Sequence, residues 1–236
     1  MTAADEDGGD GDAPIGQLVD ATPARRLEAV TLQGRFGSVE RLDAARHGEA
    51  LWEEIKGDDG LWTYMFSGPF ARQPDFSAWL AAQEPLADPF YFAILDRSGR
   101  ALGLASLMSI RPEMRVIEIG NILLGRGLQR TPLATEAQYL LARHAFETLR
   151  YRRHEWKCNA LNVPSRRAAL RFGFAFEGIF RSHMIVKGRN RDTAWFAIID
   201  TEWPARKAAF ERWLDPANFD RDGRQQQSLR ELNEAG

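Results

Sequence analysis

The sequence predicts an α+β domain with a mixed sheet in which strands outnumber helices, and three features of the chain lead to that class. Segments with strand periodicity are more numerous than segments with helical periodicity, and the two kinds alternate without an internal repeat. Two pairs of strand segments are separated by short turn-rich stretches, Asp96-Arg97-Ser98-Gly99-Arg100 and Lys187-Gly188-Arg189-Asn190-Arg191, so each pair reads as a hairpin. One strand, Met114 to Leu124, is apolar on both faces through Val116, Ile117, Ile119, Ile122 and Leu123, the pattern of a strand covered on both sides.

The elements follow in order. Residues 1 to about 24 are rich in Asp, Gly and Ala and poor in large apolar groups, so they cannot repay the entropy of ordering and read as a tail. Arg35 to Leu42 reads as a strand and Asp43 to Ile55 as a helix; Phe76 to Gln83 is a short helix with Phe76, Trp79 and Leu80 on one face. The first hairpin joins Pro89 to Leu95 with Ala101 to Ile110. After the buried strand, Thr131 suits an N-cap and Pro132 the first helical position, and a helix to about Leu149 carries Leu133, Ala137, Leu140, Leu141, Ala145 and Leu149 on one stripe. His154 to Asn159 is a strand, and Asn162 caps a short helix that stops at Gly173. Phe174 to Val186 and Asp192 to Trp203 form the last hairpin, which closes a domain spanning residues 25–215. Residues 216–236 are polar, with Leu229 and Leu232 allowing a short terminal helix.

Composition removes several function classes. With 31 basic and 33 acidic residues, the formal charge of -2 offers no global positive field for nucleic acid or an anionic membrane. Cys158 is the single cysteine, and His47, His144, His154 and His183 show no zinc-ligand spacing, so neither a disulfide scaffold nor a metal is expected. An acidic N-terminus and the lack of a long apolar run lead to the expectation of a cytoplasmic protein.

The chemistry concentrates at Leu124-Gly125-Arg126-Gly127-Leu128-Gln129-Arg130-Thr131-Pro132, where a buried strand feeds a glycine-containing loop that opens onto a helix. Backbone N–H groups at such a helix start, reinforced by the helix dipole and by Arg126 and Arg130, suit a pyrophosphate; the alternative is an ordinary turn with two solvated arginines. Gly125-x-Gly127 lacks the third glycine of a dinucleotide fingerprint, and no Gly-Lys-Ser or Gly-Lys-Thr marks a P-loop.

Glu118-Ile119-Gly120, the run Gln129 to Ala137, Asn162-Val163-Pro164-Ser165 and Phe172 to Gly178, taken as an ordered set, resemble the GNAT N-acetyltransferase superfamily. The nearer branch resembles the RimJ/RimL type, whose named members acetylate ribosomal-protein N-termini. The resemblance covers roughly Arg35 to Trp203 and implies a GNAT fold: a mostly antiparallel sheet splayed at two parallel strands, here Met114 to Leu124 and His154 to Asn159. It implies acetyl-coenzyme A as co-substrate, with its pyrophosphate on the backbone amides of Gln129, Arg130, Thr131, Leu133 and Ala134. Pro132 stands where the family usually has glycine and supplies no N–H, with Arg126 or Arg130 compensating.

By the same resemblance, Asn162 and Ser165 contact the pantetheine arm and thioester sulfur, Ser165 donating to the leaving thiolate; both also suit plain helix capping. The Arg152-Arg153 and Arg166-Arg167 pairs read as solvated faces or, for Arg166 or Arg167, as a contact to the 3'-phosphate of the coenzyme. The tyrosine acid of many relatives is missing from Ala168 to Phe172, so Ser165 or water substitutes. Glu118, a carboxylate among apolar neighbours, reads either as the base that deprotonates the amine through water or as a structural ion pair with Arg115 or Arg153; Glu177 is a weaker base candidate. Cys158 lies mid-strand without an assigned base and reads as an inert thiol. Trp52, Trp62, Tyr64, Phe66 and Trp79 read as core packing or, by the resemblance, as a wall of the acceptor site, with Asp58 or Asp59 attracting a cation.

These readings combine into direct acetyl transfer to a primary amine, on a small molecule or a peptide N-terminus, with dimerisation through the long terminal strands. The competing reading is a coenzyme-binding regulatory or interaction module without transfer activity.

Overall fold

The computed structural model describes residues 15–235. Among them, eight strands form one sheet: β1 (Thr31–Gln33), β2 (Gly37–Arg41), β3 (Phe90–Asp96), β4 (Ala101–Arg111), β5 (Val116–Leu124), β6 (Arg153–Asn159), β7 (Ala175–Val186) and β8 (Arg189–Ile199). Their spatial order is β1-β2-β3-β4-β5-β6-β8-β7, antiparallel throughout except where β5 and β6 run parallel. The helices are α1 (Ala44–Ile55), α2 (Gln73–Gln83), α3 (Pro132–Arg143), α4 (Val163–Arg171), α5 (Trp203–Leu214) and α6 (Leu229–Glu234). This is the predicted α+β class, with the mixed sheet between helical layers.

Alternation along the strands divides the core in two, because successive side chains leave opposite faces. Phe90, Phe92 and Ile94 join Ile117, Ile119, Trp156 and Phe196 beneath α3 and α5, whereas Tyr91, Ala93 and Leu95 pack with Leu104 and Leu123 against α1 and α2. Trp62 belongs to this second core, and Trp52 and Trp79 pack against it. Past β4 the second face changes character: Glu118, Glu155 and Lys157 replace apolar residues at alternate positions of β5 and β6.

Two buried groups tie the layers together. Glu136 on α3 accepts the backbone N–H groups of Arg35 (2.6 Å) and Phe36 (2.7 Å) through its two oxygens, clamping the β1–β2 turn. A Cβ on Gly34 would lie 2.4 Å from that carboxylate, which is why the turn carries glycine there. His154 on β6 is 1% exposed, and burial holds its imidazole down at about 4, opposed by a hydrogen bond with the Ile117 backbone. Its folded value lies below the ordinary 6.5, so its contribution is complete above that pH and is lost as pH falls toward 4. Urea titrations should show wild type losing about 3 kcal/mol from this group by pH 4, and a His154→Gln chain losing correspondingly less over the same interval.

Several boundaries differ from the sequence expectation, each for a local reason. Arg35 to Leu42 shortens to β2, and Thr31–Gln33 adds an edge strand in front of it. The helix expected to reach Leu149 is α-helical only to Arg143 and ends in a wider π turn, His144–Thr148, with Leu149 N–H bonded to His144 O and Tyr151 N–H to Ala145 O. The last hairpin turns on Lys187 and Gly188 alone, both at positive φ (50° and 72°), so Arg189–Arg191 belong to β8 and not to a loop. The strand expected to run to Trp203 stops at Ile199; Trp203 instead opens α5, with Pro204 in its first turn and Trp203, Phe210 and Trp213 buried. Residues 1–14 of the expected N-terminal tail lie outside the described residues. The short helix allowed by Leu229 and Leu232 is α6, closed by a capping box between Ser228 and Glu231, with both leucines in the main core. No helix among the described residues is long and apolar enough to cross a membrane, and no group of three or more His, Cys, Asp or Glu among them is placed to hold a metal.

Candidate active site

The parallel pair separates partway along its length. Rungs join Val116 with Arg153 through Ile119 with Trp156, and beyond them Gly120–Leu124 pair only with β4 while Lys157–Asn159 pair only with β8. A bulge lies at this fork: the β4–β5 register shifts between Leu104 and Ser106, and Asn121 takes φ 50°. Asparagine tolerates that left-handed backbone. Here its Nδ2 donates to Ser106 Oγ at 3.0 Å, and the Ser106 hydroxyl donates to Gly120 O at 3.2 Å. The added residue bends β5 away from β6, leaving two facing strand edges with unspent backbone donors and acceptors. An extended chain can pair there as an added strand.

The loop beyond β5 leads into the N-terminus of α3. Its two glycines serve packing: a Cβ on Gly125 would lie 2.5 Å from Glu54 Cβ, and one on Gly127 would lie 3.0 Å from the Glu54 carboxylate. Glu54, on α1, accepts the Gly127 N–H at 2.7 Å and pairs with Arg100 at 3.0 Å, fixing the loop. The Gln129 and Thr131 amides are spent inside the turn, on Gly125 O and Leu128 O, and the Ala134 amide donates to the Thr131 hydroxyl at 3.3 Å. Arg130, at φ 61°, and Leu133 keep backbone N–H groups without a partner among the described residues. The Leu133 side chain points into the core. The exposed Arg130 side chain and the dipole of a twelve-residue helix add positive potential at the same place. Arg126 does not join it: its guanidinium donates to Lys56 O.

Glu118 lies one residue before the fork, on the face opposite α3, and is 6% exposed. It pairs with neither Arg115 nor Arg153. Its Oε2 accepts from Lys157 Nζ (2.7 Å) and the Ser109 hydroxyl (2.8 Å). Arg115 instead reaches Arg150 O and Asp20, and Arg153 is held by Glu155 and Glu177. The second oxygen, Oε1, has no hydrogen-bond partner among the described residues and lies 3.7 Å from where a Cβ on Gly120 would stand, beside the Met108 side chain. Lys157 also binds Glu155 at 2.7 Å and lies 4.3 Å from the Trp195 ring centroid. Glu177, paired bidentately with Arg153, is committed at the outer end of this network.

Ser165 flanks the fork from the other face. Trp156, the last residue of β6 paired with β5, donates its indole N–H to Ser165 Oγ at 3.0 Å, which leaves the hydroxyl hydrogen free to donate elsewhere. Asn162 accepts the Ser165 backbone N–H at 3.1 Å, so it caps α4 as its sequence position allowed. Burial pushes the Cys158 thiol up, which the Ser165 hydroxyl and nearby arginines only partly offset, so the sulfur is a poor nucleophile. Arg167 is exposed on α4, while Arg166 turns back to Ala160 O at 3.3 Å. Of the aromatic segment, Phe66 alone is half-exposed; Tyr64 donates to Leu161 O at 3.2 Å and draws the loop after Trp62 over the β6–α4 turn.

The fork therefore brings together Glu118, Ser165, Asn162 and the α3 N-terminus, while Arg126 and Glu177 are committed elsewhere. Sequence reasoning missed Glu54, Asn121, Trp156 and Lys157. Asn121 carried a signal, a polar residue inside an apolar strand; Glu54 carried none, standing 73 residues from the amide it holds.

A family model described as an acetyltransferase (GNAT) domain matches residues 41–175. A GCN5-related N-acetyltransferase from Brucella melitensis is 46% identical over 91% of this chain and 99% of its own, with a TM-score of 0.89. A chain from Chromobacterium violaceum assigned to the GNAT family is 40% identical, covering 84% of this chain and all (100%) of its own, at a TM-score of 0.77. A Vibrio cholerae structure named for ribosomal-protein-serine acetylation shares the fold at 21% identity and a TM-score of 0.61, over 72% of this chain and 97% of its own. A search of the curated proteins finds no match.

Proposed function

Because this chain belongs to the GNAT acetyltransferase family, we propose that it moves the acetyl group of acetyl-coenzyme A directly onto a primary amine held on the Glu118 side of the fork. The observation that carries this reading is the joint position of three features: unpaired strand edges beyond Ile119 and Trp156, a helix start with free Arg130 and Leu133 amides, and a buried Glu118 whose Oε1 has no hydrogen-bond partner among the described residues. The amides and the Arg130 side chain hold the pyrophosphate despite the absent N–H of Pro132, the edges pair with the pantetheine amides, and Arg167 is within the helix that meets the 3'-phosphate.

An alkylamine at pH 7 is only about one part in a thousand unprotonated. In the proposed reaction Glu118, directly or through one water, takes a proton from the amine, and the nitrogen lone pair then attacks the thioester carbon. Collapse of the tetrahedral adduct breaks the C–S bond; the electron pair leaves on sulfur, the adduct nitrogen gives up its remaining excess proton to water, and the thiolate, hydrogen-bonded by the Ser165 hydroxyl, takes up a proton from water or through that hydroxyl, which is reprotonated in turn. Positioning by the fork supplies most of the rate. The ordered motifs support the RimJ/RimL type as the nearer branch. The free edge β7, with Phe176, Ile179 and Phe180 exposed, supports pairing of two copies.

The test is calorimetric titration with acetyl-coenzyme A followed by an amine screen read by thiol release. Saturable 1:1 binding with amine-dependent thiol release is the expected result. Saturable binding without amine-dependent release across the screen would replace the enzyme with a coenzyme-binding module.

A further inference from the structure

Arg191 stands on the acceptor face outside its charge network. Glu118, Glu155 and Glu177 are answered there by Lys157, Arg153 and Arg111, each in at least one ion pair. Arg191 has no ion pair and no side-chain hydrogen bond among the described residues, yet it is 7% exposed and its Nε is buried without a partner. The Phe66 ring centroid lies 5.0 Å from its guanidinium carbon. Burial accordingly pulls its basicity down, with Cys158 and Glu118 acting in the opposite direction. A guanidinium is costly to bury without a counter-charge.

Its position gives the missing counter-charge a meaning. Arg191 shares a face of β8 with Thr193 and Trp195, which pair with Asn159 and Lys157 across the β6–β8 ladder. Asp192 O accepts the Ala160 N–H at 2.8 Å, so Arg191 stands beside the β6–α4 turn that leads to Asn162 and Ser165. The loop bearing Tyr64 and Phe66 roofs it. An arginine is a rigid, permanently charged fork that matches a carboxylate.

We propose that Arg191 binds a carboxylate carried by the acceptor itself, so that the substrate class is an amino acid: its amine faces Glu118 and its carboxylate faces Arg191. This rests on the acetyl-transfer reading above. The apolar body between the two charged groups lies against Phe66 and Trp195. Arg191 then selects substrate and takes no part in proton transfer.

The test uses the full chain at saturating acetyl-coenzyme A with α- and ω-amino acids, their carboxamides and the corresponding decarboxylated amines. Wild type, Arg191→Gln and Arg191→Lys are compared. Wild type is expected to prefer the carboxylate-bearing member of its best set by about 100-fold in kcat/KM, from one bidentate charge-assisted contact. Arg191→Gln should erase that preference through KM and leave the Kd for acetyl-coenzyme A unchanged, which also reports an intact fold; Arg191→Lys should retain part of it. Equal turnover of amino acids and decarboxylated amines, or a preference that survives in Arg191→Gln, overturns the inference while acetyl transfer stands. Coenzyme binding without turnover of any amine removes the acetyl-transfer reading and this inference with it.

Discussion

Replacing Glu118 by glutamine lowers kcat/KM for the amine by about 10²- to 10³-fold and leaves acetyl-coenzyme A affinity unchanged, the magnitude expected for loss of a positioned base. The substitution is well tolerated for a structural reason. Lys157 keeps its 2.7 Å contact with Glu155 when Glu118 is neutral, so no ammonium is stranded, and the amide oxygen can still accept from Ser109. Initial-rate kinetics by thiol release, with calorimetry of coenzyme binding on the same preparation, check the prediction. Turnover within about threefold of wild type would make Glu118 a purely structural partner of Lys157, the other reading its sequence position allowed.

Arg130→Glu should raise the Kd for acetyl-coenzyme A by about 50-fold, since it removes a charge-assisted contact and places a like charge beside the pyrophosphate. The backbone there already sits at φ 61°, and glutamate replaces one unbranched residue by another, so the conformational cost is similar for both. Arg126→Glu is the matched control. Its guanidinium is directed to Lys56 O, away from the α3 N-terminus, and the same charge reversal four residues earlier should change the Kd by about threefold or less. Calorimetric titration of the two variants side by side measures the difference; equal effects would move the phosphate site off the α3 N-terminus.

The fold class was legible because its signals are local. Strand alternation, the turn-rich link at Asp96–Arg100, Thr131-Pro132 at a helix start and Asn162-x-x-Ser165 at another each act within a few residues and stand where expected in the structure, and the second hairpin is present with a shorter turn. Strand and helix ends were less legible where an apolar residue serves either period. Trp203 extends the apolar run of β8 and is equally the first buried residue of α5, and only the polar turn at Asp200–Glu202 with Pro204 separates the two.

By itself the sequence determined the mixed α+β sheet, the order of its motifs, their likeness to an acetyltransferase family and the residues of one helix start. Tertiary structure alone decided which partner each charged group takes. Glu118 went to Lys157 instead of the two arginines nearest in expectation, because side chains on one face of neighbouring parallel strands meet across a register that no local pattern encodes. Glu54 fixing a loop 73 residues away and Arg191 buried with no ion pair among the described residues arise in the same way. Such pairings depend on distances set by sheet register and helix packing, whereas periodicity, caps and turns depend only on neighbours along the chain.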